Sequence, residues 1–134
     1  MANMPENVIE HLKANKTVVL ATVSEDGIPN AVPNQFVEVK SPDTILIGDN
    51  FFKKTAVNLK KPDSNIVICS WVSPKEGFQI KGVANYVAEG PDYETMRQII
   101  KSRSEKLPAK GCVIMKVTEV YDLAAGPNAG NKIV

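Results

Sequence analysis

Three residues that suit anion binding, Lys53, Lys54 and Thr55, stand side by side where a strand pattern gives way to a short helical pattern. Positive charge at a helix N-terminus opposes the helix dipole and costs about 0.3 to 1 kcal/mol per charge, so a bound anion would remove that cost. Backbone N–H groups, a hydroxyl and an ammonium group together suit phosphate. The segment therefore predicts a phosphate site. The alternative is that two solvated lysines lie on a surface helix.

The same segment, GDNFFKKT, matches the P-loop pattern GxxxxGK[ST] except that Lys53 stands in place of the second glycine. That glycine lets the backbone wrap the phosphates of a nucleotide. The helical pattern that follows is also too short for a parallel βαβ nucleotide-binding unit. We therefore do not interpret the segment as the site of a nucleoside triphosphatase.

Two amide side chains follow two prolines in the segment IPNAVPNQF. Because Pro29 and Pro33 lack an N–H donor, we expect this segment at a sheet edge or at a point where the strand ladder opens. Asn34 and Gln35 can each donate and accept hydrogen bonds, as the uracil-like edge of a flavin requires. The alternative is a plain polar edge strand.

Other catalytic chemistry has little support in the sequence. His11 is the only histidine, and its polar helical neighbours predict a surface position, so neither a histidine metal site nor an activated nucleophile is expected. Cys69 and Cys112 lie in apolar runs without CxxC spacing, which indicates reduced core residues. The GxGxxG fingerprint is absent. We predict no metal ligand and no catalytic side chain, so any redox chemistry would need a bound cofactor.

The elements that would position these residues are mostly strands joined by short turns. Helical periodicity and helix-start signals predict helices over residues 5–15, 51–61 and 91–106. Apolar or alternating runs between turn signals predict strands over residues 17–24, 29–39, 44–49, 65–72, 77–90 and 112–123. Six strands with three helices inserted indicate a mainly β protein, a small antiparallel barrel rather than a parallel sheet.

Length and charge limit the classes of protein. The 134 residues predict a single domain over 1–134, with a Gly, Pro and Asn-rich C-terminal loop over 124–134. Lys plus Arg (16) nearly balances Asp plus Glu (15), so no overall field favours nucleic acid or a membrane surface. The apolar runs are far shorter than the ~20 residues that span a bilayer, and the start is not typical of a secretory signal. We expect a cytoplasmic protein.

Several segments in this order resemble the FMN-binding split-barrel family, flavoproteins related to pyridoxamine 5'-phosphate oxidase. They are the leading helix, the hairpin ATVSEDGIPNAVPNQF, the connection GDNFFKKTAVNL, the strand GFQIKGVANYV, and a closing strand followed by GPNAG. The likeness covers nearly the whole chain. It implies a six-stranded antiparallel split β-barrel with peripheral helices that binds FMN non-covalently. Members of the family are usually homodimers with two FMN sites at the subunit interface.

The resemblance also implies which residues bind FMN. The second hairpin strand would lie along the flavin and ribityl chain, Lys54 and Thr55 with help from Lys53 would hold the phosphate, and residues 47–49 would border the isoalloxazine ring. Residues 78–79 or the GPNAG tail of a partner subunit would cover the ring. The implied cofactor-binding residues are Val32, Pro33, Asn34, Gln35, Ile47, Gly48, Asp49, Lys53, Lys54, Thr55, Phe78, Gln79, Pro127, Ala129 and Gly130.

The function implied by the resemblance is an FMN-dependent oxidoreductase with an unknown substrate. The alternatives are a non-enzymatic FMN carrier or electron-transfer module, and a barrel that binds no cofactor. True pyridoxamine phosphate oxidases are longer and grip phosphates with arginines, whereas the first arginine here is Arg97, which argues against vitamin B6 oxidation. Some relatives bind the deazaflavin F420 or haem, and the lone His11 argues against haem ligation.

Overall fold

The strands and helices alternate along the chain much as the hydrophobic pattern predicts. Residues 2–134 are described by the computed structural model of the protein, and they form seven β-strands and three α-helices. The elements are α1 (Glu6–Ala14), β1 (Val18–Val23), β2 (Pro29–Asn34), β3 (Val37–Ser41), β4 (Thr44–Asp49), α2 (Lys54–Leu59), β5 (Ser64–Ser73), β6 (Glu76–Val87), α3 (Pro91–Arg103) and β7 (Gly111–Asp122).

All seven strands belong to one antiparallel sheet with the order β2-β1-β5-β6-β7-β4-β3. The first and last strands in this order, β2 and β3, are consecutive in the chain, so the sheet curls round to bring its two edges together. The result is a mainly β, antiparallel split β-barrel, as expected. Its main core is the barrel interior, and a second apolar cluster lies beneath α3, where Met96 and Ile100 pack against Leu46 and Cys112.

The predicted strand over residues 29–39 is two strands, so the prediction of six strands was wrong by one. The backbone N–H of Phe36 donates to Oδ1 of Asn34 (2.7 Å), a local turn in which a side chain replaces a ladder partner. The Phe36 carbonyl then accepts the N–H of Gly48 (2.8 Å). Because these bonds bend the chain after Asn34, β3 pairs with β4 instead of β1.

The predicted surface position of His11 was wrong. His11 is only 3 % exposed, and its ring contacts Glu76 Oε2 through Nδ1 (2.7 Å) and Ser70 Oγ through Nε2 (2.7 Å). The edge of its ring also meets Phe78 at a centroid distance of 5.1 Å. These contacts tie α1 to the β5–β6 hairpin, and we call His11, Ser70 and Glu76 the histidine cluster.

Both cysteines are free. Cys112 is fully buried, as expected, and burial raises the pKa of its thiol to about 12. Cys69 is half-buried on the outward side of β5, so its predicted core position was only partly right. Within residues 2–134, neither thiol lies in a group of three or more His, Cys, Asp or Glu residues that could hold a metal ion.

The segment after β7 folds back along the second half of that strand, where β4 no longer pairs with it. Gly130 N–H donates to the Asp122 carbonyl (2.7 Å), and Ile133 N–H donates to the Val120 carbonyl (2.7 Å). A single β-bridge joins Lys132 to Tyr121. The C-terminal loop is therefore ordered against β7 rather than loose.

Candidate cofactor-binding site

A groove with a cavity volume of about 520 Å³ runs between β2 and the connection from β4 to α2. Most of the residues predicted for a cofactor site from the hairpin and the lysine segment meet here. The predicted residues that line the groove are Val32, Pro33, Asn34, Gln35, Gly48, Lys53, Lys54 and Thr55.

The groove also has lining residues that the sequence analysis missed: Thr17, Asn30, Phe36, Asn50, Phe51 and Phe52. One of them carried a usable signal. Asn30 lies two and four residues before Val32 and Asn34, so all three side chains lie on one face of β2. Because side chains alternate between the two faces of a strand, a site that includes Asn34 predicts that Asn30 also lines it.

One end of the groove holds the cationic residues. Thr55 is buried, and its Oγ1 accepts a hydrogen bond from the Asn30 side-chain amide (2.9 Å), so its own hydroxyl proton stays available for another acceptor. Lys53 and Lys54 are exposed, and neither forms an ion pair within residues 2–134. An anion at this end would meet two ammonium groups and one hydroxyl.

The helix behind these lysines is shorter than predicted. It starts at Lys54 rather than near residue 51, has six residues, and has no side-chain cap. A helix of this length has a small dipole, so the phosphate interpretation cannot rest on the helix N-terminus. It rests on the charges of Lys53 and Lys54 and on the hydroxyl of Thr55.

The side-chain amides of Asn34 and Gln35, at the end of the groove opposite the lysines, have different surroundings. Asn34 is 8 % exposed, and besides accepting from Phe36 it donates from Nδ2 to the Gly48 carbonyl (2.9 Å). Its amide is thus occupied in joining β2 to β4 across the groove floor. Gln35 is exposed, and over residues 2–134 its side chain forms a single, long hydrogen bond, from Nε2 to Thr17 Oγ1 (3.4 Å). Gln35 is the amide that is free to bind a ligand.

Ile47 and Asp49 were predicted to border the flavin ring, but their side chains point into the protein. Both are buried. Asp49 accepts the N–H of Phe52 at Oδ1 (2.9 Å) and the hydroxyl of Tyr86 at Oδ2 (2.6 Å). Burial and the bond to the Asp49 carboxylate raise the pKa of Tyr86, so this hydroxyl stays protonated. The two β4 residues support the groove from behind.

Gly48, between them, is tightly enclosed. A Cβ on Gly48 would lie 2.8 Å from Ile100 Cδ1 and 3.0 Å from Met96 Sδ, because α3 packs directly on β4 at this point. The absence of a side chain thus allows α3 to approach the strand that forms the groove floor.

Five predicted residues lie away from the groove of their own protomer. Phe78 is buried against His11, and Gln79 lies on the outward side of β6, where it pairs with Cys69. The tail lies beside the β5–β6 turn, since Ala125 N–H donates to the Pro74 carbonyl (2.7 Å). Contacts of Phe78, Gln79, Pro127, Ala129 and Gly130 with a cofactor remain predictions that require a second subunit.

In the part of the chain that the structure describes, no group of three or more His, Cys, Asp or Glu residues could hold a metal ion. Over the same residues, no helix is both long and apolar enough to cross a membrane.

The fold places the chain in the class of small antiparallel split β-barrels, and its sequence identifies the family within that class. Residues 4–124 match the family described as pyridoxamine 5'-phosphate oxidase. The chain belongs to this family. It is also 31% identical over 135 residues to an uncharacterised protein of Methanocaldococcus jannaschii, MJ0282, covering 99% of this chain and 89% of that protein.

Solved structures share the fold at low sequence identity. HupZ of Group A Streptococcus has a TM-score of 0.80 at 22% identity, covering 95% of this chain and 99% of HupZ. An FMN-binding protein from Syntrophomonas wolfei has a TM-score of 0.69 at 19% identity, with 90% of this chain and 86% of that chain covered. HutZ, the haem storage protein of Vibrio cholerae, has a TM-score of 0.62 at 17% identity, with coverages of 92% and 98%.

Proposed function

We propose that the protein binds FMN in the groove, with the phosphate at Lys53, Lys54 and Thr55. The observation that carries the proposal is the distribution of chemistry along one cavity. Apolar side chains such as Val32 and Phe51 line its length, and unpaired cations stand at one end. FMN has the same distribution, a flat ring system joined by a flexible chain to a phosphate dianion.

The donors in the groove fit the polar atoms of FMN. At the ring end, Gln35 directly follows Asn34, the last residue of β2, where the pairing with β1 ends, and its side-chain amide makes only a long contact to Thr17. Hydrogen bonds from such groups select the carbonyl and N–H edge of the flavin. The Asn34 amide supports this end, since it holds β2 against Gly48.

We further propose that two copies associate through the outer sheet face, the outward-facing residues of β2, β1 and β5. This face is apolar although it is exposed: Val19 is 47 % and Trp71 58 % accessible. Large exposed apolar areas on a small protein are typical of association surfaces. The outward-facing apolar residues are Pro29, Ala31, Pro33, Val19, Ala21, Val23, Val67, Cys69 and Trp71.

The strand register connects this face to the groove. Pro33, Val19, Cys69 and Gln79 form one row of cross-strand neighbours across β2, β1, β5 and β6. Pro33 lines the groove, and Gln79 is the residue expected to reach the ring in the partner. A two-fold axis through this row would bring Gln79 of each copy toward the groove of the other. For Phe78, which is buried, only backbone contact is compatible with this arrangement.

FMN accepts and donates hydride or single electrons, so we infer an oxidoreductase of unknown substrate as the activity. The chain's contribution is to hold and orient the cofactor and to exclude water from it. A non-enzymatic FMN carrier or electron-transfer module is the alternative. Haem is disfavoured because the lone His11 is buried in contacts with Glu76 and Ser70. A single-domain chain and a cytoplasmic location remain predictions.

The decisive experiment compares FMN with riboflavin, which lacks the phosphate. Charge-assisted hydrogen bonds are strong, so wild-type protein is expected to bind FMN at least ~10-fold tighter than riboflavin. Lys54→Ala should reduce this ratio with riboflavin affinity nearly unchanged. Lys60→Ala, an exposed lysine at the end of the same helix, is the matched control and should leave both affinities unchanged. Quenching of flavin fluorescence measures the affinities of both ligands for the wild type and the two variants.

Two results would overturn the proposal. A protein purified without flavin that binds neither ligand would exclude a flavin site. A wild-type protein that binds both ligands equally would exclude the phosphate site at Lys54. The rate at which small-molecule reductants reduce bound FMN, compared with free FMN, distinguishes the oxidoreductase from the carrier. Faster reduction of the bound FMN supports the oxidoreductase.

A further inference from the structure

A tyrosine on β6 reaches across a whole strand to the back of the groove. Tyr86 pairs with Val113 of β7, and Asp49 of β4 pairs with Gly111, on the far side of β7. The Tyr86 hydroxyl nevertheless bonds Asp49 Oδ2 at 2.6 Å. It crosses above Gly111, where a Cβ would lie only 2.2 Å from the hydroxyl oxygen. The crossing is possible because residue 111 has no side chain.

The carboxylate at the end of this contact holds the segment that precedes the two lysines. Asp49 Oδ1 accepts the N–H of Phe52 (2.9 Å), and the Asp49 carbonyl accepts the N–H of Lys110 (2.8 Å). Lys110 in turn donates from Nζ to the Phe52 carbonyl (3.1 Å). Phe52 is thus held at both its N–H and its carbonyl. It lines the groove and directly precedes Lys53.

We propose that Tyr86 and Asp49 are positioning residues for the phosphate end of the groove, a role that rests on the FMN proposal above. Tyr86 orients the Asp49 carboxylate, the carboxylate fixes Phe52, and Phe52 sets the direction in which the backbone delivers Lys53 and Lys54. Neither residue needs to touch the ligand. Their contribution is to hold two flexible lysines over one point of the groove.

The position of the contact predicts an effect on one end of the ligand only. The ring end is built on β2, where the side chain of Asn34 is hydrogen-bonded to Gly48 and Phe36 and not to Tyr86 or Asp49. Loss of the Tyr86 hydroxyl should therefore release the segment before the lysines and leave the ring end in place. A merely structural role would lower the affinity for FMN and for riboflavin by the same factor.

The experiment measures dissociation constants of FMN and riboflavin for wild type and Tyr86→Phe. We expect Tyr86→Phe to weaken FMN binding about fivefold to tenfold, because a buried carboxylate oxygen loses its donor, and to change riboflavin binding less than about twofold. The matched control is Ser41→Ala. The Ser41 hydroxyl also donates to a carboxylate, that of Asp43 (2.9 Å), but it lies at the end of β3, beside the turn to β4 and at the opposite end of β4 from Asp49, so its loss should change neither constant.

A second variant keeps the test valid if Tyr86→Phe does not fold. Asp49→Asn retains the shape of the side chain but holds Phe52 and Tyr86 with a neutral group. The ratio of FMN affinity to riboflavin affinity should therefore fall by a smaller factor than in Tyr86→Phe. The proposal is overturned if the ratio stays at the wild-type value in folded Tyr86→Phe or Asp49→Asn, or if both ligands weaken equally. Failure of the FMN proposal gives a different result, since wild-type protein would then not distinguish the two ligands.

Discussion

Two groups of hydrogen-bonded polar side chains in the barrel, the Asn30–Thr55 pair and the histidine cluster, differ in whether they border a cavity. In the groove, Asn30 and Thr55 bond each other and still face open space. The histidine cluster has the contact order of a serine–histidine–acid triad, Ser70 Oγ to His11 Nε2 and His11 Nδ1 to Glu76. Ser70 is only 1 % exposed, so no substrate can reach its hydroxyl. Hydrogen-bond connectivity alone does not identify a catalytic site, because a substrate must also be able to reach the residues.

The sharpest test of this contrast is His11→Ala. The change removes a buried ring and leaves Ser70 without its partner, so the free energy of unfolding should fall by about 3 to 4 kcal/mol. FMN affinity of the folded protein should stay within about twofold of wild type. Urea unfolding and fluorescence titration measure the two quantities. Lys13→Ala, an exposed change on the same helix, is the control. A parallel loss of FMN affinity would show that the two clusters are coupled.

Asn34→Ala should lower both the free energy of unfolding and the affinity for FMN, because the Asn34 side chain stabilises the fold and also lines the groove. Loss of its bonds to Gly48 and Phe36 should reduce the free energy of unfolding by about 2 to 3 kcal/mol and weaken FMN binding at least ~10-fold. The same two measurements apply, with the exposed amide change Asn65→Ala as control. Unchanged FMN affinity would place the flavin away from the end of β2.

The smallest effect on stability is expected for Gln35→Ala. Its side chain is exposed and makes one long contact, so the free energy of unfolding should change by less than about 0.5 kcal/mol. A lost hydrogen bond to a neutral ligand group costs about 0.5 to 1.5 kcal/mol, so FMN affinity should fall several-fold. Gln98→Ala on α3 is the control. An FMN affinity equal to that of wild type would remove Gln35 from the site.

A change on the outer sheet face tests the proposed dimer. Val19→Glu adds a charge in the middle of the apolar row and should convert a dimer to monomers by light scattering at micromolar concentration, with weaker FMN retention. We expect the wild-type interface to bury more than about 2,000 Å² in total. Wild-type protein that is monomeric with flavin bound would contradict the shared site.

Local patterns predicted the parts of the fold that local interactions determine. Alternation and β-branched runs located the strands within a few residues, and the lysine segment and the prolines of β2 pointed to the groove. The division between β2 and β3 was missed because the Asn34 turn gains its second bond from Gly48, 14 residues away. That acceptor can be identified only after the barrel has formed.

The same limit explains why the predicted surface position of His11 was wrong. The helical period puts His11 on the polar face of α1, but its partners Ser70 and Glu76 are 59 and 65 residues away. That Asp49 borders the flavin ring remains a prediction, but the direction of its side chain could not be predicted from the apolar TILIG run before it. The side chain turns inward because Tyr86, 37 residues on, supplies a donor there. Buried polar pairs of this kind carry no periodic signal.

The crossing of Tyr86 above Gly111 has a consequence for how the sequence can change over evolutionary time. A Cβ at residue 111 and a tyrosine at residue 86 exclude each other sterically, while a smaller residue at 86 would make room for alanine at 111. The two positions should therefore covary among homologues that keep this barrel. Substitution at position 86 should come first, because alanine at 111 is tolerated only once the tyrosine is gone.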